Sequence, residues 1–334
     1  MKKSPQEIHP DGIDLSELSP KDKTWDKHRA NADLVRDSYS HLGYDRYPER
    51  INDCSRLLEF IQGVNSGVSQ DEFLLRLFAA KFCRVRFCPV CQWRRTLMWR
   101  ARFFKAVPNI RVDYSGYQFI FLTLTVRNCG LDELRKTIDW MRNSWRKLVK
   151  RKVFPAIGWV RAVEVTPGKN GKFDEFHPHF HSILIVPKNY FRNSTYLNKD
   201  KWIDLWQKSL KVDYRPSIKV NKVGLKPNRR KKLVEKLGRD LTEDEVVFYG
   251  LMECLKYSVK EGDLIANLNW LDAVTKQLHG TRAIALGGIF KEYLSEDEPE
   301  DLIHTELEDN IDTSEIQAKF LFGWNERVKR YQSM

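Results

Sequence analysis

Three histidines occupy alternate positions in the segment His177-Pro178-His179-Phe180-His181. In an extended strand, positions i, i+2 and i+4 point to one face. His177, His179 and His181 are therefore expected side by side, with Phe180 turned toward a core. The chain has only 8 histidines, so three on one face within five residues suggest a site and not scatter. Adjacent imidazoles repel once protonated, whereas a shared cation uses their lone pairs and removes the repulsion. The preceding segment Trp159–Thr166, WVRAVEVT, alternates as a strand, and Pro167–Gly171 reads as a turn, so the two strands form a hairpin. Glu164 is the only carboxylate in that strand and can supply an oxygen across the hairpin. Two imidazoles, a carboxylate and open positions suit Mn2+, Mg2+ or Zn2+ by ligand type. On a basic protein, the evident use of such a cation is to polarise a phosphate oxygen.

A second candidate lies further along the chain. Thr242-Glu243-Asp244-Glu245 has capping-box spacing and opens a helix expected to reach about Lys260. Glu253 and Tyr257, at i and i+4, share a face, with Lys260 adjoining it and Tyr249 one turn earlier. A tyrosine that attacks a phosphodiester must lose a proton from a group of pKa about 10. Lys256 and Lys260 are placed to favour the phenolate, and Glu253 to activate a water or a sugar hydroxyl. Taken alone, the segment is better read as an ordinary helix surface with solvent salt bridges such as Glu253–Lys256.

The cysteines suggest a third. Cys83, Cys88 and Cys91 are spaced C-x4-C-x2-C, a pattern that in a cytosolic protein points to a metal before a disulfide. A closed tetrahedral zinc site needs a fourth ligand, for which Cys54 is the candidate. Cys129 and Cys254 read as packed or incidental thiols. Arg84, Arg86, Arg94, Arg95, Arg100 and Arg102 surround the cluster and could hold duplex DNA.

Several elements must position these groups. Tyr117–Val126, YQFIFLTLTV, reads as a strand; Leu131, Leu134, Ile138, Met141, Trp145 and Leu148 mark one face of a helix. A helix is expected over Tyr196–Leu210 and a strand over Tyr214–Val223. Lys226–Arg239 is strongly basic and is either a solvated loop or a phosphate-contacting surface. The expected fold is α+β, an antiparallel central sheet with flanking helices and an N-terminal Cys-rich zinc module. Its parts are an N-terminal arm over 1–48, a Cys/Arg-rich zinc- and DNA-binding module over 49–110, a catalytic domain over 111–294, and an acidic tail over 295–334. Within that tail Phe320–Trp324 is apolar enough to dock back.

Charge supports a polyanionic partner. The net charge is +12, and residues 295–334 hold 11 acidic against 4 basic residues, leaving 53 basic against 34 acidic in residues 1–294. Each phosphate such a body neutralises releases condensed counterions. The longest apolar run, Phe119–Val126, is far short of the roughly 18 to 20 residues that span a bilayer. With no apolar stretch near Met1, a cytoplasmic protein without a membrane partner is expected.

The order FLTLTVRN (Phe121–Asn128), HPHFH (His177–His181) and ECLKYSVK (Glu253–Lys260) resembles the three-motif pattern of HUH endonucleases. It is most similar to the initiators of rolling-circle plasmid replication that carry a single catalytic tyrosine and a glutamate four residues before it. LHGTRAIALGGIFKEYL (Leu278–Leu294) and CRVRFCPVCQWRR (Cys83–Arg95) resemble the same branch, and the likeness covers about Tyr47–Leu294. It implies an HUH/RRM-like sheet with the histidines on a central strand. It also implies that Tyr257 attacks the scissile phosphate of a single-stranded or extruded origin strand beside duplex DNA, keeping the 5′ phosphate as phosphotyrosine and freeing a 3′ hydroxyl. By the resemblance, His179, His181 and Glu164 hold Mn2+ or Mg2+, with His177 in reserve. Glu253 activates water in termination, Lys260 stabilises charge, zinc sits at the cysteines, and host helicase and polymerase follow. The competing readings are a non-catalytic zinc-containing DNA-binding protein and a metal nuclease without a covalent intermediate. A mobilisation relaxase would carry its tyrosine N-terminal to the histidines, unlike this chain.

Overall fold

The computed structural model describes residues 12–62, 75–194, 196–225, 227–252, 259–294, 300–303 and 318–334, with the backbone of 6–7, 64–65 and 311–312. It is α+β, with antiparallel sheets flanked by helices, divided into two units. One comprises residues 1–101, 264–268 and 300–334, and the other 102–263 and 269–299. No helix among the described residues is long and apolar enough to cross a membrane.

After a short helix over Leu15–Leu18 and a turn over Pro20–Lys23, the first unit has helices α1 (Thr24–His41) and α2 (Arg46–Asp53) and strands β1 (Leu57–Gln62) and β2 (Leu75–Ala80). Residues 12–48 are therefore not the arm their polarity suggested. Trp25, Ala32, Val35 and Tyr39 of α1 are buried. Polarity misled because α1 also buries charge: Arg29 and Asp33, at i and i+4, form an ion pair at 2.9 Å with both side chains almost fully enclosed. Helix α3 (Pro89–Asp113) starts in this unit and ends in the other.

The second unit follows with β3 (Tyr117–Thr125), the short β4 (Cys129–Gly130), α4 (Leu134–Val149), and the hairpin β5 (Gly158–Pro167) and β6 (Glu175–Pro187). Then come α5 (Lys199–Leu210), β7 (Ile218–Lys222), α6 (Pro227–Leu237), α7 (Glu243–Met252), a short helix over Glu261–Ala266, α8 (Leu268–Leu278) and β8 (Ile284–Gly288). The sheet order is β8-β5-β6-β3-β7, with β4 also pairing β6. The histidine strand β6 is thus central. Phe180 of β6, Leu122 and Leu124 of β3 and Val163 of β5 are buried on one face of the sheet, with Met141, Trp145 and Leu148 of α4 and Trp202 and Trp206 of α5 buried beside them. Period-2 alternation in the strands and period-3.6 spacing in α4 meet in one core.

The chain ends with β9 (Ala318–Asn325) and β10 (Arg330–Ser333), which return to the first unit. β9 pairs antiparallel with β1, Phe320 opposite Phe60, and β10 pairs with β9. Phe320, Phe322 and Trp324 alternate inward and are buried. Within the expected acidic tail, Glu300–Ile303 also packs in the first unit: Leu302 is buried, and its carbonyl accepts from Arg94 at 2.7 Å.

Candidate metal centres

The register of the central sheet assembles the histidine face. Glu164 on β5 lies opposite His179 on β6, and Ala162 opposite His181. On the other side of β6, Thr125 lies opposite His179 and Thr123 opposite His181. One oxygen of Glu164 lies 3.1 Å from His179 Nε2 and also meets His181 Nε2. The ligand atoms of Glu164, His179 and His181 all fall within 4.8 Å of one another. Thr123 Oγ1 is 3.3 Å from His181 Nδ1. Without a cation His181 donates Nε2–H to Glu164; with one bound, the tautomer that donates Nδ1–H to Thr123 would turn the Nε2 lone pair to the ion. Phe121 lies flat against the His181 ring at 5.4 Å between centroids, which fixes the ring plane.

The electrostatics fit a cation. Burial alone would raise the Glu164 carboxyl, but its hydrogen bonds with His179 and His181 outweigh it and hold the group well below the usual carboxylate range. The carboxylate is ionised at neutral pH with two nitrogens converging on one oxygen, a donor set of the kind that binds Mn2+, Mg2+ or Zn2+. His179 Nδ1 is buried and has no hydrogen-bond partner.

His177 is not part of this group. Its Nδ1 is 2.7 Å from Asn128 Oδ1, and Asn128 donates in turn to Glu175 at 2.7 Å. Burial, with His179 beside it, lowers the His177 pKa. Strand periodicity places all three histidines on one face; Asn128, 49 positions away, decides which two converge on the carboxylate.

Arg29 is the first of the residues that the sequence reading missed. It is completely buried and donates to the carbonyls of Ile51 and Cys54, both at 2.7 Å, while pairing with Asp33. It thereby holds the turn carrying Cys54. The Sγ atoms of Cys54 and Cys83 each lie 3.6 Å from that of Cys91, and Cys88 lies 3.7 Å from Cys54. A disulfide needs about 2.05 Å, whereas the edge of a tetrahedron with Zn–S of about 2.3 Å is about 3.8 Å. All four cysteines are buried. Backbone N–H groups of Cys83, Arg84 and Val85 donate to the sulfurs of Cys54, Cys91 and Cys83 at 3.3 to 3.4 Å. Arg84 adopts a φ of 56° within this run of donors, and Ser55, next to Cys54, a φ of 53°. Hydrogen bonds from Cys54, Cys83 and Cys88 pull the Cys91 thiol down, with Arg95 assisting. Four thiols, one already inclined to ionise, fit a closed tetrahedral ion.

Two of the arginines around this centre are committed to the protein. Arg94 is buried, donates to the carbonyls of Leu302 and Ile303 and covers the Trp25 ring, and Arg95 pairs with Glu300. Neither presents a free guanidinium to DNA, contrary to the sequence reading.

The capping box is formed: Thr242 N donates to Glu245 at 2.8 Å, and Glu245 N donates to Thr242 Oγ1 at 3.2 Å. Helix α7 is described through Met252, after which Glu253, Cys254, Lys256 and Tyr257 lie outside the described residues. Lys260 is exposed and non-helical, and its carbonyl accepts from the Asp263 amide at the next helix start. It therefore does not continue the α7 face as spacing implied. Asp263, also missed, has a carboxyl pushed up by burial, with Lys260 lowering it and Glu164 raising it further. Cys129 is buried in β4 opposite Phe176.

A central strand bearing paired histidines, a carboxylate from its hairpin partner, and the three motifs in this order define a protein of the HUH type found among plasmid replication initiators. The replication protein family Rep_1 matches residues 74–332, and the chain belongs to it. It is similar to a protein called Protein rep from Bacillus amyloliquefaciens, 31% identical over 93% of this chain and 94% of the relative. A Protein rep from Lentilactobacillus hilgardii is 29% identical over 93% and 95%. One from Streptococcus pneumoniae serotype 2 is 30% identical over 93% and 92%. No solved structure matches.

Proposed function

We propose that this protein initiates rolling-circle plasmid replication as a metal-dependent, site-specific DNA nickase and strand transferase. Tyr257 is the nucleophile. Its oxygen bonds to the scissile phosphorus, the P–O3′ bond breaks, and the phenol proton passes out as the 3′ oxygen is protonated. The protein keeps the 5′ phosphate as phosphotyrosine, and the free 3′ hydroxyl serves a host polymerase, with a host helicase opening the duplex. His179, His181 and Glu164 hold Mn2+ or Mg2+, which supplies Lewis-acid polarisation of a phosphate oxygen. Thr123 and Phe121 orient His181, and Lys260 offsets charge on the phosphate. Glu253 activates the water that ends the reaction, so one tyrosine suffices. Cys54, Cys83, Cys88 and Cys91 hold structural zinc in the module over 49–110, and the chemistry belongs to the domain over 111–294.

The observation that carries this reading is the convergence of Glu164 on His179 and His181 on a sheet whose chain order also supplies ECLKYSVK. The test incubates the protein with Mn2+ and an end-labelled single-stranded origin oligonucleotide and resolves the products on a denaturing gel. A protein–DNA adduct is expected, lost in Tyr257→Phe. An adduct that survives Tyr257→Phe overturns the nucleophile, cleavage without an adduct points to a water-using nuclease, and binding without cleavage to a non-catalytic DNA-binding protein. Glu253→Gln is expected to nick but not to terminate.

A further inference from the structure

The basic segment after β7 has no part in the scheme above, and its structure is unusual for a solvated charge run. It is helix α6, PNRRKKLVEKL, in which Asn228, Arg230, Lys231 and Lys232 are exposed. Four consecutive cations, Arg229 to Lys232, sit in its N-terminal half, and no acidic residue lies in its first turn. Cations at that end oppose the helix dipole, and adjacent like charges repel. Helix α7 shows the opposite arrangement, with Glu243, Asp244 and Glu245 in its first turn. Among the described residues, Lys231 reaches Glu235 only at 3.9 Å, and neither Arg230 nor Lys232 forms an ion pair.

The root of α6 is fixed where the chemistry would need it. Strand β7 is an edge of the central sheet and pairs with β3, Lys219 opposite Thr123 and Asn221 opposite Phe121. Since Thr123 lies opposite His181 on β6, His181, Thr123 and Lys219 form one cross-sheet row on one face. Two strand spacings put the Lys219 backbone about 10 Å from that of His181, and its side chain is exposed. That distance suits a phosphate neighbouring the one at the metal face. From β7 the chain enters α6 through Val223 and Gly224. A Cβ on Gly250 would meet Val223 Cγ1 at 2.8 Å and the Gly224 amide nitrogen at 3.0 Å. Helix α7 therefore packs its backbone directly on this connection, three residues before Glu253.

We infer that β7 and α6 form a phosphate-binding strip for the DNA on which the metal face acts, with Lys219, Arg230, Lys231 and Lys232 as its contacts. The ligand is the DNA backbone, read by charge and not by sequence. The inference rests on the nickase reading for the identity of the polyanion, and it adds the site that holds the flanking strand.

The test measures binding of fluorescently labelled DNA by anisotropy with no divalent metal added, across a salt series. Arms with a single-stranded oligonucleotide and with a duplex separate the two sources of the same backbone. Each lost phosphate contact lowers the slope of log affinity against log salt by about 0.7 for a single strand or 0.9 for a duplex. Arg230→Ala/Lys231→Ala/Lys232→Ala is expected to flatten the slope by about 2 to 3 in the arm that uses the strip, and Lys219→Ala by a further 0.7 to 0.9. The control removes the same charge near the opposite face of the sheet, where Lys147, Lys150 and Lys152 are exposed: Lys147→Ala/Lys150→Ala/Lys152→Ala should leave the slope unchanged. Circular dichroism verifies that each variant is folded. An unchanged slope in both arms for the α6 variant, an equal loss in the control, or no DNA binding by the parent protein overturns the strip. A normal salt response without any covalent adduct sinks the nickase reading and leaves the strip standing.

Discussion

The two candidate metal centres are built on opposite plans. The cysteine centre has four ligands, all buried, with backbone amides donating to its sulfurs. The histidine centre has three ligands, each partly exposed at 12 to 20%, on one face of a sheet. A closed four-thiolate site has no position left for a substrate and contributes to folding. A three-ligand site on a partly open face leaves positions where a phosphate oxygen can enter. On the proposed reading, enclosure would separate a centre that holds the chain from one that acts on something else.

Removing a cysteine ligand should have the largest effect. Cys91→Ser is expected to abolish stoichiometric zinc in native mass spectrometry and to cost several kcal/mol of stability, or to leave the first unit unfolded. A variant that keeps its Tm with no metal bound breaks the comparison. Next is Arg29→Met, which removes the fully buried partner of Asp33, leaving it Arg36, Lys329 and Trp324, and takes the donor from the Cys54 turn. A loss of about 3–5 kcal/mol in urea unfolding is expected, with faster zinc release to a chelator.

The histidine face should behave in the reverse way. His181→Ala is expected to weaken Mn2+ binding, read by calorimetry, by about 100-fold, with a shift below about 1 kcal/mol in metal-free stability. A large metal-free loss would show that this centre also holds the fold.

Glu164 sharpens the contrast through pH. Its folded-state pKa lies below the ordinary 4.5, so the stability it contributes is fully present above that value. This contribution is lost as pH falls from 4.5 toward the depressed folded value. Glu164→Gln should therefore flatten the acid limb of Tm against pH in metal-free protein, leaving the profile above pH 5 in place. An unaltered limb counts against its ionised pairing with the histidines. The smallest change is expected from His177→Ala. Because His177 is bound to Asn128 and not to the ligand group, Mn2+ affinity should fall by less than about tenfold. A fall as large as that of His181→Ala would make His177 a ligand.

How far each centre was legible follows from how local its determinants are. The histidine face rests on strand alternation and a hairpin of adjacent segments, so His179, His181 and Glu164 could be read from spacing. The choice against His177 rests on Asn128 in a different strand connection, which no local pattern reveals. The cysteine set was legible as three ligands from C-x4-C-x2-C. Cys54 entered as the candidate for the fourth because a tetrahedral site needs one, but its supports were not legible, because Arg29, Asp33 and the Cys54 turn meet only once α1 packs. The capping box was visible because its two hydrogen bonds lie within four residues. That Lys260 lies outside a helix was not, because no comparable stop signal precedes it.

The sequence by itself determined the ligand chemistries, the strand and helix periods that align them, and the family to which they belong. Only the tertiary structure decided which groups are enclosed. Trp324 of β9 donates to Asp33 at 2.9 Å, and Tyr331 of β10 donates to the Ser55 carbonyl at 2.6 Å. The last two strands thus close over the turn that carries Cys54, nearly the whole chain length away. Such contacts depend on burial of apolar faces and satisfaction of buried polar groups across hundreds of residues. Spacing along the chain carries no record of either.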